Sequence, residues 1–233
     1  ISSPGTLSVF LIFPTILILL MGFLFDNLYH TTIISSYDFY GVTMIFFIAM
    51  MGATVPANAF LEKHIKNGNT RIFYSPVSRV SIYSSKILTC FLFMALALTI
   101  NIIIFDTISL VNFGSDKIGY VILLIINFVL FLTILSSAIC VTLHSEELTN
   151  VILSNSMSVL GFLSGIFFPI ASLGAIFEKI ASFSPIKWTV DCIFQLIYDG
   201  QSTNYWWIMF ALLTLSSLLL LVVHKNYRPE DYI

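Results

Sequence analysis

The sequence predicts an all-α integral membrane protein, and three observations support that fold class. Of the 233 residues, 58% are hydrophobic and only 9% are charged, whereas a soluble domain carries roughly 25% charged residues. Long runs without Asp, Glu, Lys or Arg divide the chain, and a helix of about 20 such residues spans a hydrocarbon core. The alternating segments of about 10 residues that are typical of a transmembrane β-barrel do not occur.

Six uncharged runs predict six transmembrane helices. The runs are 1–25, 39–61, 87–105, 118–145, 148–177 and 200–224. No repeat, low-complexity tract or soluble segment is visible, so we expect residues 1–233 to form a single transmembrane domain. Residue 1 is Ile rather than Met, and we therefore expect the natural start of the chain to lie before it.

The positive residues predict the orientation of the spans. Seven of the ten Lys and Arg residues lie between the second and third runs or after the sixth run: Lys63, Lys66, Arg71, Arg79, Lys86, Lys225 and Arg228. Because positive residues mark the cytoplasmic side, we expect both termini and the turn at 144–147 to lie in the cytoplasm. The opposite loops are short and mainly acidic, as expected of an outer face.

The most polar stretch of the chain, residues 62–86, lies between the second and third runs. Residues 68–69 are Gly-Asn, a turn signal whose Asn can cap a following helix. Residues 75–76 are Ser-Pro, a second start signal, from which a helix is predicted to run directly into the third span. The pattern predicts a short helix, over about 70–74, that lies across the cytoplasmic end of the spans.

This short helix would present apolar side chains beside positive charge. Ile72, Phe73 and Tyr74 form the apolar patch, and Arg71 would point to solvent. An exposed patch of this kind suits an interface with a soluble partner. The alternative is a solvated basic loop that only fixes the orientation of the chain.

The same loop contains Gly-x-Thr, then Pro-Val-Ser-Arg, then a Lys seven residues later. In this order and topology, the loop resembles the cytoplasmic signature of ABC-2 type transporter permeases, also called type V ABC exporters. The resemblance implies that residues 62–80 are a coupling loop, whose short helix docks on a separate ATPase subunit. The resemblance assigns Glu62, Gly68, Thr70, Pro76 and Arg79 to docking, and the patch on the short helix adds Arg71 and Phe73.

The fifth run is too long for one crossing. As a single helix, residues 148–177 would reach about 45 Å, well beyond a hydrocarbon core of roughly 30 Å. Pro169 and Gly174 interrupt the run. We therefore expect residues 148–168 to cross the membrane once, with Pro169 ending the crossing at the outer face.

Residues 169–200 predict two short amphipathic helices at the outer face. One helical face carries Leu173, Ile176, Phe177 and Ile180. After a Ser-Pro start signal at 184–185, a polar stripe repeats every four residues at Lys187, Asp191 and Gln195. A further span here would bury several charges, each at a cost of roughly 2.5–3.5 kcal/mol at the membrane centre. The element is therefore re-entrant or interfacial, either as a gate or as an inert cap.

This region also resembles the last third of the ABC-2 permeases, through Gly165, Phe168-Pro169, Leu173, Pro185 and Val190-Asp191. Together the two signatures and the six-span layout cover nearly the whole chain. We predict an extracellular gate formed by Phe168, Pro169, Leu173, Pro185 and Asp191.

Several kinds of chemistry are excluded by missing motifs. The sequence has no G-x-x-x-x-G-K-[ST], so the chain has no P-loop for ATP, and ATP with Mg would be bound by the partner subunit. Its three Cys are not clustered and its four His form no H-E-x-x-H pair, so neither a metal site nor a catalytic site is predicted. No basic tract points to nucleic acid.

The polar residues inside the runs are amides and hydroxyls, among them Asn101, Asn127 and Asn155. Their commonest role is hydrogen bonding between helices. The alternative is that these three residues line a pathway for an amphipathic substrate.

The sequence therefore favours the transmembrane subunit of a bacterial exporter, in the cell membrane with two ATPase subunits and a second permease copy or paralogue. Phe-rich spans suit a hydrophobic or amphipathic cargo, such as a drug, an antimicrobial peptide or a lipid. A lipid-linked polysaccharide exporter and a channel or immunity protein without ATP coupling are the alternatives.

Overall fold

A computed structural model of the chain describes residues 4–29, 34–61, 77–167, 174–200 and 203–228, and these ranges contain helices and no strand. The helices are α1 (Pro4–Leu24), α2 (Asp26–Tyr29), α3 (Ser36–Met51), α4 (Thr54–Leu61), α5 (Arg79–Thr107), α6 (Ile118–Leu143), α7 (Glu146–Leu163), α8 (Ala175–Ala181), α9 (Pro185–Phe194) and α10 (Thr203–Asn226). A 3₁₀ turn (Ser115–Lys117) precedes α6, and a π-helical turn (Gln195–Asp199) follows α9. The predicted all-α class is confirmed.

Four helical stretches in the described ranges are long and apolar enough to cross a membrane. They are Ser36–Leu61, Arg79–Thr107, Ser115–Leu143 and Asn204–Asn226, and α1 adds a shorter apolar helix over Ser8–Leu24. The four stretches coincide with the second, third, fourth and sixth predicted runs. The chain is thus a multi-pass membrane protein, while the crossings by the first and fifth runs stay predictions.

Helix α6 lies at the centre of the bundle. It packs mainly against α10 and also contacts α3, α4, α5 and α7. Leu124, Phe128 and Leu132 on α6 are completely buried. Two of its buried hydroxyl groups bond within the helix, since Thr133 donates to the Val129 carbonyl and Ser137 to the Thr133 carbonyl, both at 2.8 Å. Because α6 is central and contacts most of the other helices, the packing of the bundle depends on it.

The second run is interrupted between α3 and α4, at residues 52–53. The Ala53 amide donates to the Met50 carbonyl at 3.0 Å, which tightens the chain into a turn. A β-carbon at Gly52 would lie 2.5 Å from the Phe10 ring and 2.6 Å from the Met94 methyl group. Glycine therefore lets α1 and α5 approach the turn closely.

Two helix boundaries differ from the sequence prediction. Helix α5 begins at Arg79 rather than at Pro76, because Ser78 is extended and its hydroxyl accepts the Ser81 amide at 3.2 Å as the N-cap. Helix α7 ends at Leu163, before the predicted end at residue 168. Gly165 follows in the left-handed region (φ 79°), a conformation that stops a helix. Pro169 is therefore not what ends α7.

Candidate functional site

The residues predicted to dock an ATPase subunit lie mostly outside the described ranges. Glu62, Gly68, Thr70, Arg71, Phe73 and Pro76 belong to the segment 62–76, and Arg79 is described. Arg79 is exposed in the first turn of α5. Helices α4 and α5, which flank the segment, pack against each other. The predicted coupling loop is thus anchored on two neighbouring helices.

An aromatic cluster joins both flanks of this loop to the end of α10. The Tyr83 hydroxyl and His224 Nδ1 are 3.0 Å apart and share a hydrogen bond. The Tyr227 ring packs edge-on against Phe60 of α4 and Tyr83 of α5, with centroids 6.0 Å and 5.4 Å away. Lys86 Nζ lies 5.2 Å from the centroid of the Phe60 ring. A movement of α4 or α5 at this end would therefore also displace the end of α10.

The element after α7 enters the bundle deeply. Pro185 and Trp188 of α9 line an apolar groove together with Phe131 and Leu135 of α6 and with α10 residues between Leu215 and Val222. Phe131 lies about 20 Å along α6 from its start, in a helix about 39 Å long. Helix α9 thus begins near the middle of the bundle.

Helix α9 then leads to the predicted outer end, where α3, α6 and α10 begin. Phe194 at its end stacks on Phe39 of α3, with centroids 5.6 Å apart. In the following π-helical turn, the Leu196 carbonyl accepts a hydrogen bond from Lys117 Nζ at 3.1 Å. A helix that starts at mid-depth and returns to the same end is re-entrant, and its start at the Ser184–Pro185 signal is as predicted.

Buried hydrogen bonds hold the irregular backbone on both sides of this element. The Ser164 and Ser184 hydroxyls are buried and lie 3.2 Å apart. The Tyr40 hydroxyl donates to the Phe167 carbonyl at 3.2 Å. Lipid cannot satisfy the polar groups of irregular backbone, so such bonds are required at membrane depth. No local sequence pattern marks these pairs, because their members are 20 and 127 residues apart.

Of the predicted gate residues, Pro185 and Asp191 are described, whereas Phe168, Pro169 and Leu173 fall in the undescribed segment 168–173. Asp191 forms an ion pair with Lys187 at 2.7 Å, one turn earlier on α9. Gln195 Oε1 accepts a hydrogen bond from the Asn204 amide at 3.3 Å. The predicted polar stripe thus lies on one side of α9. The opposite side is apolar and buried, with Ile186 and Ile193 at its centre.

The predicted outer end is closed by further polar contacts. The Asn112 amide donates to Asp38 Oδ1 at 2.6 Å, and the Tyr205 hydroxyl donates to the Tyr120 carbonyl at 3.0 Å. Burial raises the pKa of the Tyr198 hydroxyl, and the nearby Asp38 carboxylate raises this pKa further, so Tyr198 stays neutral. The interaction with Asp38 places Tyr198 of the π-helical turn beside α3.

The three asparagines predicted as possible pathway residues occupy different environments. Asn101 is buried, and its Nδ2 donates to the Phe10 and Ala97 carbonyls at 2.9 Å each. Asn127 is buried, and its Nδ2 donates to the Met209 carbonyl at 3.0 Å. The Asn101–Phe10 and Asn127–Met209 bonds each join two helices, so both residues have the commonest predicted role, which is hydrogen bonding between helices. Asn155 is exposed on α7, so it is the one of the three that is open to a pathway.

Asn155 belongs to an open face of α7, which we define by Leu148, Val151, Ile152, Asn155, Val159 and Phe162. The five apolar members are between 42% and 57% exposed. Helices α7 and α9 both contact α3 and α6, and the Ser164–Ser184 bond joins the end of one to the start of the other. The bond thus brings the end of the helix with the open face to the start of the helix with the polar stripe.

Comparison with known protein families agrees with this architecture. Residues 26–223 match the family described as ABC-2 family transporter protein. No curated protein and no solved structure matches the chain. Since the match covers most of the sequence, the chain belongs to the ABC-2 family of transporter proteins, and the resemblance found in the sequence is confirmed.

Proposed function

We propose that this ABC-2 family chain is the permease subunit of an ATP-driven exporter in a bacterial cell membrane, with six spans and both termini in the cytoplasm. Its cargo is a hydrophobic or amphipathic molecule, such as a drug, an antimicrobial peptide or a lipid. The observations that carry the proposal are the open face of α7 and the polar stripe of α9, on helices that the Ser164–Ser184 bond joins. In our proposal they form one side, which combines exposed apolar surface with an ion pair at membrane depth.

A second permease copy, or a paralogue, covers this side in our proposal. Lipid cannot satisfy the Asn155 amide or the charges of Lys187 and Asp191, and ionisable groups at membrane depth normally face protein or a water-filled cavity. Two copies with α7 and α9 facing each other would enclose a pathway. Its walls would be apolar along α7 and charged along α9, which suits an amphipathic cargo.

ATP would act through the predicted coupling loop. The chain has no P-loop, so two copies of a cytoplasmic ATPase subunit would supply ATP binding and dock at residues 62–80. Support for a mechanical role comes from the packing of α4 on α5 and from the Tyr83–His224 bond. A push on the loop would move α4, α5 and the end of α10 together, as in a rigid-body transition.

The docking proposal is tested by co-purification with P-loop ATPases encoded in the same genome, beginning with any gene that neighbours this one. We expect the chain to retain the ATPase and to stimulate its activity in nanodiscs. The double substitution Phe73→Asp and Arg71→Glu should abolish retention, because it places charge in the apolar patch and reverses the neighbouring charge. Lys179→Gln, on the opposite side of the predicted membrane, is the matched control. If the double variant binds and stimulates as well as the native chain, the docking site is elsewhere.

The cargo is tested in the same nanodiscs. An apolar drug or a cationic amphipathic peptide should stimulate ATP hydrolysis at micromolar concentration, and Val159→Trp, which fills the open face of α7, should remove that stimulation while basal hydrolysis persists. Stimulation by a lipid-linked sugar alone would point to the polysaccharide exporter instead. A chain that functions with no ATPase present would support the channel or immunity protein.

A further inference from the structure

We propose that an acidic phospholipid binds along the seam between α6 and α10, with its phosphate at the predicted cytoplasmic end and one acyl chain beside the re-entrant helix α9. Two cavities, different in chemistry and aligned on the same helices, carry this inference.

The first cavity is a basic pocket of about 490 Å³. It is lined by Thr142 and His144 at the end of α6 and by Lys225, Asn226 and Arg228 at the end of α10. Among the described residues that line it, all five are polar, three are basic and none is acidic. Lys225 and Arg228 are exposed, and no ion pair joins either of them to another residue in the described ranges. Basic pockets between helices on the cytoplasmic side are sites for acidic lipid headgroups.

Of the carboxylates in the described ranges, the nearest in sequence are those of Glu146 and Glu147, whereas Glu230 and Asp231 follow Arg228 outside those ranges. Glu146 and Glu147 stand in the first turn of α7, where negative charge is stabilised by the helix dipole. Neither residue lines the pocket. The Thr142 hydroxyl donates to the Ala138 carbonyl at 2.7 Å, so the donors on which a phosphate would rely are Lys225, Arg228 and the Asn226 amide.

The second cavity is the apolar groove of about 500 Å³ beside α9. Leu215, Leu218 and Val222 of α10 form one wall and are at least 36% exposed. The indole nitrogen of Trp188, which lines the groove, already donates to the Ser182 carbonyl at 2.5 Å. The groove thus offers a surface for a hydrocarbon chain, and nothing for a headgroup.

The two cavities lie on one continuous stripe. On α6, Phe131 and Leu135 of the groove and Thr142 of the pocket fall within about 40° of each other around the helix axis at 3.6 residues per turn. On α10, Leu215 and Val222 of the groove share a face with Asn226 of the pocket by the same spacing. A molecule that extends out of the pocket along the seam therefore enters the groove.

The length of the seam fits one leaflet of a bilayer. From Leu215 to Lys225 the α10 axis rises about 15 Å, which is half of a hydrocarbon core of roughly 30 Å. A phospholipid in the cytoplasmic leaflet satisfies both cavities at once, with the phosphate among the basic side chains and the tail against Trp188. A free phosphate ion would fill the pocket alone, and an acidic protein segment would leave the groove empty.

Fluorescence of Trp188 tests this site directly. The chain has three Trp, so Trp206→Phe and Trp207→Phe leave the groove indole as the only reporter. In detergent micelles, phosphatidylglycerol with brominated acyl chains should quench this indole at a concentration at least tenfold lower than phosphatidylcholine with the same chains. Equal quenching by the two lipids would overturn the proposal.

Three variants distinguish a lipid bound along the seam from acidic lipid that is attracted nonspecifically to the protein. Lys225→Gln with Arg228→Gln should remove the preference for phosphatidylglycerol, because each basic residue near a membrane surface contributes several-fold to binding. Lys179→Gln should keep the preference. Val222→Phe adds bulk between pocket and groove, so it should suppress quenching while all charges remain. Quenching unchanged by the double Gln variant or by Val222→Phe contradicts a lipid held along the seam.

Two further additions distinguish other occupants. Inorganic phosphate at millimolar concentration should leave the quenching unchanged, since the acyl chain contributes most of the contact. Full reversal by phosphate would mean that the pocket is a site for a free anion. Binding of the ATPase subunit should also leave the quenching unchanged, and its loss on assembly would assign the pocket to a protein interface instead.

Discussion

Helices α6 and α7 follow each other in the chain and both carry amides and hydroxyls in an apolar setting, yet they use these groups in opposite ways. On α6, Asn127, Ser136 and Ser137 are buried, and Asn127 ties the helix to α10. On α7, Asn155 stands exposed among apolar side chains. The same residue type is part of the packing in one helix and part of an uncovered surface in the other.

This difference indicates which surface is incomplete in a single chain. A buried amide with a partner carbonyl serves the fold, and its removal affects stability. An exposed amide on an apolar helix face has no such role within the chain, so it points to water, cargo or a second copy. The following predictions test the contrast between the two helices, in order of decreasing effect.

The largest effect is expected from Asn127→Asp compared with Asn155→Asp. The first substitution places a carboxylate at the bundle centre and removes the donor to the Met209 carbonyl. The cost should be about 2.5–3.5 kcal/mol of the free energy of unfolding. The second should cost less than about 0.5 kcal/mol, as for other surface substitutions. Thermal unfolding of the two variants in the same detergent, followed by the loss of monodisperse protein, measures the difference.

Equal destabilisation by the two substitutions would break the comparison, because it would mean that Asn155 is as buried as Asn127. Asn127→Leu is a useful third variant. It removes one hydrogen bond between helices, worth about 0.6 kcal/mol. It also removes Oδ1, which is buried without a hydrogen-bond partner, so its net effect should be small.

The fold class and the start of α9 could be predicted from the sequence, since both rest on local signals. Charge-free runs report burial in lipid, and Ser184–Pro185 is a local start signal. The end of α7 was not predictable in the same way, because the apolar run continues beyond Gly165 without a change in composition. Nor could the start of α5 be placed, since Ser75 and Ser78 are both good N-caps and three-dimensional context selects the second.

The role of each asparagine was not predictable either. Asn127 and Asn155 both stand in apolar runs, and which of them is buried depends on the helix that packs over it, here α10 on α6. The contact between Lys117 and Leu196 joins residues 79 apart in sequence, and no local pattern marks it. The sequence therefore predicted the helices that form the site, but not which of their residues come into contact.

An intermediate effect is expected from Ser164→Ala, at the junction of α7 with the re-entrant element. The substitution leaves the Ser184 hydroxyl buried without its partner, at a cost of about 1 kcal/mol. Ser158→Ala is the matched control, because within the described ranges the Ser158 hydroxyl bonds to the Ser154 carbonyl of its own helix and to no other helix. The midpoint of thermal unfolding should fall for the first variant and stay unchanged for the second. If Ser158→Ala lowered the midpoint more than Ser164→Ala, the bond at the junction would not be what holds α7 in place.

The smallest effect is expected from Gly161→Ala on α7. A β-carbon there would meet the Met50 methyl group at 3.7 Å, an ordinary van der Waals contact. The added methyl group and the better helix propensity of Ala should leave stability equal or raise it by up to about 1 kcal/mol. At Gly41 of α3, where an added β-carbon would collide with Val111, the same substitution should destabilise the chain. Loss of stability at Gly161 would mean that α7 is packed as tightly as the central helices.

The most direct test is the accessibility of Asn155→Cys in the assembled complex. The native Cys90, Cys140 and Cys192 are buried, so an introduced cysteine is the preferred target of a water-soluble maleimide. In nanodiscs that contain the chain with its ATPase, we predict that Asn155→Cys is labelled and that labelling stops cargo-stimulated ATP hydrolysis, whereas Leu92→Cys, on an exposed apolar position of α5, is not labelled. Labelling at residue 92 but not at 155, or full cargo stimulation after complete labelling at 155, would contradict a pathway along the open face of α7.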